Sequence, residues 1–295
     1  MNTALIGSIG RHALHDGPGI RTVVFFKGCP LCCVWCHNPE FLSPRPEVAF
    51  YSGRCIGCGD CVAACPEGAA SLEVADRLDR TRCTGCGLCC EVCPGKALQL
   101  VGRKYEVEEL VEILLRDRRF YEASGGGITL SGGEPAAQLD FASLLLRRLK
   151  EEGLHTILET SGFFSWEAFE SKMLKWLDLI FFDLKVGDSA LHRRLTGVGN
   201  EIILANLSRL VERRREDIVA RIPVIPGYTA GEENMEALAG IVRKLGVRHY
   251  MLLGYHPYGI SKAENVGRAV DPVMSRNAME PEELERWRRF FDLCD

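Results

Sequence analysis

The chain has 295 residues, 46% of them apolar, and a net charge of -4. That length and apolar share suffice for one large core with a small second domain beside it, and the slightly acidic balance offers no basic footprint for nucleic acid. No apolar stretch approaches the roughly 18 residues that cross a bilayer, so neither a membrane nor a nucleic acid is expected as a partner.

In chain order, the first β-branched and aromatic run, Thr22 to Lys27, reads as a buried strand. It leads into Cys29, Cys33 and Cys36, a C-x3-C-x2-C array on one short loop. Soft thiolates select iron-sulfur or zinc, and three of them can hold three corners of a cubane cluster. The fourth ligand is missing. An iron left open there can bind a small molecule through amine and carboxylate groups, which makes the site catalytic. A structural zinc loop would want a fourth Cys or His at its own spacing, and His37, adjacent to Cys36, fits that poorly.

Pro44 and Pro46 mark the entry to a second unit, about residues 47 to 104. It holds two copies of C-x2-C-x2-C-x3-C-P: Cys55, Cys58, Cys61 and Cys65 before Pro66, and Cys83, Cys86, Cys89 and Cys93 before Pro94, offset by 28 residues from Cys55 to Cys83. This is the bacterial two-cluster ferredoxin run, in which the fourth cysteine of each copy ligates the other cluster. The expected sets are Cys55, Cys58, Cys61 and Cys93 for one 4Fe-4S cluster, and Cys83, Cys86, Cys89 and Cys65 for the second. Seven acidic and seven basic residues cancel within the unit, which hints at packing on a neighbour rather than a charged docking surface. The N-terminus lacks a charged n-region followed by an apolar h-region, so a secreted disulfide framework is not expected. Cys32, Cys90 and Cys294 are left over, as buried or free thiols without a role.

Beyond this unit helices and strands alternate. Leu110, Ile113 and Leu114 mark one amphipathic helix, and Phe141, Leu144, Leu145 and Leu149 the face of another. Five further strands follow: Ile128 to Ser131, Thr156 to Glu159, Leu179 to Asp183, Ile218 to Pro223 and Tyr250 to Tyr255. Such alternation predicts parallel βα units with a site beyond the strands' carboxyl ends. Cys29 follows the first strand, Gly132-Gly133-Glu134 the second, and Glu159-Thr160 ends the third. Asp183 and Lys185 stand at the fourth, Arg221 lies on the fifth and His256 follows the sixth. Six strands predict an α/β fold, an open, partial (β/α)6 barrel over 1–46 and 105–295, with an inserted α+β ferredoxin-like domain over 47–104. In Ser131-Gly-Gly-Glu134-Pro135 the glycines allow close approach of backbone to a ligand whose ammonium the carboxylate would neutralise. Arg213 to Arg215, flanked by acids, reads as a solvated helix face, and Leu284, Trp287 and Phe291 as a lid helix packed on the barrel.

The cysteine loop HDGPGIRTVVFFKGCPLCCVWCHNPE, with GGGITLSGGEP, ETSG, FFDLK, RIPVIPG and GYHPYG, resembles the glycyl-radical enzyme activating enzymes of the radical SAM (S-adenosylmethionine) superfamily. It is similar to their pyruvate formate-lyase activating enzyme-like branch carrying a two-cluster ferredoxin insertion. The resemblance implies three 4Fe-4S clusters and SAM, with a reduced cluster on Cys29, Cys33 and Cys36 cleaving SAM to methionine and a 5'-deoxyadenosyl radical that takes hydrogen from a glycine of a partner glycyl-radical enzyme. It implies that Trp35 and His37 lie near the adenine. Gly132, Gly133 and Glu134 would meet the methionyl amine, and Asp183, Lys185, Arg221 and His256 the rest of SAM. Lys185 and Asp16 would join the catalytic residues, Asp16 meeting the partner's glycyl loop. Glu159, Thr160 and Asp183 resemble a monovalent-cation site. Two positions depart from the family pattern: Cys32 replaces a usually basic residue, and Glu159 a more usual Asp. Flavodoxin or ferredoxin would supply the electron in a reducing cytoplasm, with the auxiliary clusters as relay, structure or docking aid. A radical SAM enzyme acting on a small molecule and a non-catalytic electron-transfer protein are the alternatives, and SAM cleavage separates the latter from the rest.

Overall fold

The computed structural model describes residues 3 to 291, so Cys294 lies outside the described residues. Its strands are β1 (Thr3–Ala13), β2 (Arg21–Phe26), β3 (Glu47–Phe50), β4 (Leu98–Val101), β5 (Arg103–Glu106), β6 (Gly127–Gly132), β7 (His155–Thr160), β8 (Leu179–Asp183), β9 (Ile218–Val224) and β10 (His249–Gly254). Its helices are α1 (Asp60–Ala64), α2 (Leu88–Glu91), α3 (Val107–Leu115), α4 (Arg118–Ser124), α5 (Leu139–Glu151), α6 (Trp166–Lys172), α7 (Ser189–Thr196), α8 (Glu201–Arg214), α9 (Glu232–Leu245), α10 (Tyr258–Asn265) and α11 (Pro281–Arg288).

One sheet runs in the order β10-β9-β8-β7-β6-β2-β1-β5. The six strands expected from the sequence, β2 and β6 to β10, pair in parallel. Two more, β1 and β5, extend the β2 edge in antiparallel fashion. Neither carries a clean two-residue apolar alternation, TALIGSIGRHA being glycine-rich and RKYE charged, so pairing rather than propensity makes them strands.

Side chains alternate across the parallel strands. Val24, Phe26, Ile128, Leu130, Leu158, Ile180, Phe182, Ala220 and Ile222 face the helices and share one core with α3, α5, α8 and α9. The opposite face carries Thr129, Ser131, Glu159, Asp183 and Arg221, a polar lumen. On α5 the buried stripe is Phe141, Ala142, Leu145, Leu146 and Leu149. Leu144 is 37% exposed, because at 100° per residue it lies about 130° from the axis of that stripe. On α3, Leu110 and Leu114 are buried while Ile113 sits at the border. Trp287 and Phe291 pack on the core as expected, Phe291 with its ring centroid 5.1 Å from that of Tyr250 on the edge strand β10. No helix among the described residues is long and apolar enough to cross a membrane.

The cysteine-rich insertion starts and ends as one antiparallel hairpin, β3 with β4. Arg103 and Lys104, counted with the insertion on sequence, belong to β5 of the barrel sheet. The duplication is visible in the backbone: α1 and α2 each begin after a left-handed glycine, Gly59 at φ 85° and Gly87 at φ 86°. A knot of charge joins insertion to barrel. Lys27, its side chain 0% exposed, donates to the carbonyls of Glu40 (2.9 Å) and Ser43 (3.2 Å) and pairs at 2.7 Å with Glu47 on β3. Arg268 reaches the same carboxylate at 3.1 Å, and Arg80 ties the Val48 carbonyl to that of Asn265.

Candidate active site and cluster sites

The loop after β2 is pinned at both ends. Gly28 and Cys29 donate backbone N–H groups to Phe41 O (2.7 Å) and Leu42 O (3.1 Å), while Cys32 and Val34 donate to Thr196 O (2.8 Å) and Leu195 O (3.0 Å) at the end of α7. Burial pushes the Cys29, Cys33 and Cys36 thiols up, to about 12 for Cys36, so these sulfurs become thiolates when a metal's charge stands beside them. Cys33 and Cys36 border a cavity of about 510 Å³ shared with Trp35, Tyr255 and His256, within the size range of small-molecule sites. The exposed Cys32 turns its sulfur to the Thr196 carbonyl at 3.6 Å.

In the insertion the sulfurs ring two cavities. Cys55, Cys58, Cys61 and Cys93 line one, and Cys65, Cys83, Cys86 and Cys89 the other. Each set takes three cysteines from one run and the fourth from the other, a donor set of soft thiolates that fits a cubane. Cys65 and Cys93 are oriented alike, each sulfur accepting the backbone N–H four residues on, from Ala69 (3.2 Å) and Ala97 (3.3 Å). Cys90 is half-buried, its thiol engaged by Cys89. Cys65→Ala is expected to strip the cluster of the second run and spare that of the first. Alkylation mapped by mass spectrometry reads this out: Cys86 becomes reactive and Cys58 stays protected, and the reverse pattern would refute crossed ligation.

The Gly132-Gly133-Glu134 turn presses on the cysteine loop. Gly133 N–H donates to Phe26 O and Glu134 N–H to Gly28 O, both at 2.8 Å. A Cβ at Gly132, where φ is 108°, would collide with the Phe26 backbone, and one at Gly133 with the Gly28 carbonyl. Glycine is needed at both positions so that the turn can lie directly on the Phe26 and Gly28 backbone. Glu134, 1% exposed, is held by four donors: Thr160 Oγ1 (2.9 Å), Ser161 N (2.8 Å), Ser161 Oγ (2.6 Å) and Ala136 N (3.2 Å). Burial still raises its pKa against those bonds.

Deeper in the lumen runs a ladder of charge. Ser131 Oγ donates to Glu159 Oε2 (2.6 Å) and Arg221 Nη1 to Glu159 Oε1 (2.5 Å). Arg221 also donates through Nε (2.9 Å) and Nη2 (2.8 Å) to Asp183 Oδ1, and Lys185 Nζ donates to Asp183 Oδ2 (2.7 Å). Asp183 and Arg221 are register partners on adjacent strands, which places them side by side. The Arg221 guanidinium lies 5.4 Å from the Phe181 ring centroid on its way to Glu159. Against the cost of burial, Asp183 holds both Arg221 and Lys185 above their ordinary pKa values. Burial raises Glu159. Thr160 turns away from this ladder to Glu134, so the cation implied for Glu159, Thr160 and Asp183 finds those oxygens already engaged.

The HDGPG loop folds against the lumen. Thr129 Oγ1 donates to the Asp16 carbonyl (2.8 Å), and Gly17, at φ 130°, leaves no room for a Cβ beside Ile157. Burial raises the Asp16 carboxyl while the charge of Arg221 opposes it. His256 stacks on Tyr258 with ring centroids 3.6 Å apart, His37 stands 6.3 Å from the same ring, and Trp35 lies 6.2 Å from Tyr228. Ser131, Ser161, Tyr258 and Gly259 were not singled out from the sequence. All four sit inside motifs that were, next to the residues chosen, and only the fold shows their partners. A Cβ at Gly259 would strike the Cys36 carbonyl, so Gly259→Val is expected to push α10 off the cysteine loop and weaken iron retention there. Iron analysis after gel filtration, compared with a variant at the open Gly240, checks this.

A radical SAM superfamily family model matches residues 81–239, and a 4Fe-4S dicluster domain model residues 54–97. The chain is 38% identical to the choline trimethylamine-lyase activating enzyme of Oleidesulfovibrio alaskensis, over 96% of this chain and 93% of that one. It is 39% identical to the trans-4-hydroxy-L-proline dehydratase activating enzyme of Clostridioides difficile (98% and 96%) and 42% to the benzylsuccinate synthase activating enzyme of Thauera aromatica (91% and 83%). Among solved structures, a radical SAM methyltransferase from Sphaerobacter thermophilus shares the fold at a TM-score of 0.54 and 15% identity, covering 93% of this chain and 64% of that one. The chain therefore belongs to the radical SAM superfamily and, within it, to the activating enzymes of glycyl-radical enzymes.

Proposed function

We propose that the cysteine loop and the charged lumen together bind and cleave SAM at the barrel mouth, beneath a glycine loop of the partner enzyme. The observation that carries this is convergence: the cysteine loop, Glu134, the Glu159–Arg221–Asp183–Lys185 ladder and His256 stand on or just past the carboxyl ends of six parallel strands. When bound, a reduced 4Fe-4S cluster on Cys29, Cys33 and Cys36 supplies the electron that splits SAM into methionine and a 5'-deoxyadenosyl radical, which takes a hydrogen atom from a glycine α-carbon. Glu134, oriented by Thr160 and Ser161, neutralises the methionyl ammonium, and Lys185 and Arg221 face its carboxylate. Trp35, His37 and His256 shelve the adenine. Asp16, on the HDGPG loop, meets the partner's glycyl loop, which closes the barrel against water.

Three 4Fe-4S clusters are assigned in all, one on the loop and two in the insertion. The insertion relays electrons from flavodoxin or ferredoxin. Its two exposed cysteines, Cys58 and Cys86, offer such a carrier an edge at each cluster. An open iron needs a reducing compartment, hence a cytoplasmic location. The partner is a glycyl-radical enzyme, and the relatives' names span lyase, dehydratase and synthase partners. To test this, the enzyme is reconstituted anaerobically, reduced, and mixed with SAM and a glycyl-radical enzyme from the same genome. A SAM-dependent glycyl doublet in the EPR spectrum is expected. 5'-Deoxyadenosine without a doublet would point to a small-molecule substrate, and neither product to electron transfer alone.

A further inference from the structure

We infer that this activase uses no monovalent cation in its SAM pocket, because Arg221 already occupies the position of the counter-charge. This rests on the assignment of the SAM pocket given above. A cation site needs clustered oxygens whose negative charge is not yet offset. Glu159 and Asp183 are the two carboxylates of the implied set, and one guanidinium spans them, with Nη1 at 2.5 Å from Glu159 Oε1 and Nη2 at 2.8 Å from Asp183 Oδ1. The outer oxygens are taken as well, by Ser131 Oγ at 2.6 Å and Lys185 Nζ at 2.7 Å. Thr160 Oγ1, the third oxygen of the set, is a donor to Glu134. Within the ladder two carboxylates against a guanidinium and an ammonium sum to zero charge, and the neighbouring Asp16 carboxyl, whose charge burial disfavours, already faces Arg221. An added potassium ion would meet two like charges in a setting where side chains are at most 20% exposed, and repulsion there is poorly screened.

Glu159 is the residue that makes this arrangement. It sits on β7 in register with Phe181 of β8, and Arg221 lies one strand further, on β9, in register with Asp183. The carboxylate must therefore reach across β8, and the guanidinium meets it above the Phe181 ring. An aspartate would fall short by about 1.5 Å, one carbon–carbon bond. Nη1 would lose its partner and the shortened carboxylate would be left with Ser131 alone. The choice of Glu over Asp at this position thus exchanges an external cation for an internal one.

The test needs no turnover. Iron-loaded wild type, Glu159→Asp and Arg221→Gln are titrated with SAM, and melted, in potassium chloride and in tetramethylammonium chloride at equal ionic strength. Thallium(I) NMR reads cation binding directly. For wild type, SAM affinity and melting temperature should be the same in both salts, with no saturable thallium signal. Glu159→Asp should bind SAM about tenfold better in potassium than in tetramethylammonium, the equivalent of about 1.4 kcal/mol. Arg221→Gln should show the same preference, with a saturable thallium signal. A tenfold loss of wild-type SAM affinity without potassium, or saturable thallium binding by wild type, overturns the inference, and so does indifference to salt in both variants. If no protein binds SAM in either salt, the SAM-pocket assignment fails instead, while the thallium and melting comparisons still decide whether a cation site exists.

Discussion

Cys36→Ala should lower the iron content from about twelve to about eight atoms per chain, four per cubane, and abolish formation of 5'-deoxyadenosine. Cys36 is one of the three sulfurs of the C-x3-C-x2-C array, and a cubane that keeps one corner open for SAM has no ligand to spare. No neighbour can substitute. The spare thiol nearest in sequence, Cys32, is turned to the Thr196 carbonyl and packs against Gly197. The two clusters proposed for the insertion would draw on the separate cysteines that line its two cavities and should still give reduced EPR signals, which distinguishes loss of one site from collapse of the protein. Undiminished SAM cleavage in this variant would remove the cysteine loop from the chemistry.

Arg221→Met is expected to give the largest loss of stability. It leaves Glu159 with Ser131 only and Asp183 with Lys185 only, in the polar lumen of a barrel whose other face is fully buried. Removing one partner of a buried pair costs about 3–5 kcal/mol, because the remaining charge is uncompensated. In a protein of this size that corresponds to a fall in melting temperature of about 10 °C. The same variant should bind SAM poorly. Calorimetric melting of the iron-loaded protein gives the answer, and an unchanged transition would mean that the two carboxylates are not held as ions by Arg221. The double variant Arg221→Met with Glu159→Gln should recover part of the loss, since it removes the charge that the first change strands.

The contrast between what could and could not be read in the sequence follows from how local each constraint is. Cluster cysteines are fixed by coordination geometry over a few residues, so the spacing around Cys33 or Cys86 announces itself. The parallel strands carry their apolar face in every second position, Ile128 and Leu130 or Ile180 and Phe182, and that too is local. β1 and β5 escaped because their stability comes from the neighbour each pairs with, and Leu144 was misplaced because Ala142, a small residue, holds the core position instead. The glycines of the Gly132-Gly133-Glu134 turn also pack on Phe26 and Gly28, more than a hundred residues earlier, a requirement that the local motif does not display. Likewise Ser161, just past the end of the neighbouring strand β7, orients Glu134, a contact that no short window of sequence contains.

The ammonium of Lys27 gives the insertion a standing that its sequence, a self-contained run of cysteines introduced by two prolines, does not suggest. Lys27 follows β2 directly, is sealed from solvent, and finds its carboxylate on the first residue of β3. The same ammonium clamps the carbonyls of Glu40 and Ser43, closing the far end of the loop that carries Cys29, Cys33 and Cys36. Excising the insertion would therefore strand a positive charge inside the catalytic half of the molecule. The unit that carries the auxiliary clusters is thus not a detachable accessory: it shares one buried charge pair with the barrel, and its removal takes away the ion-pair partner of Lys27.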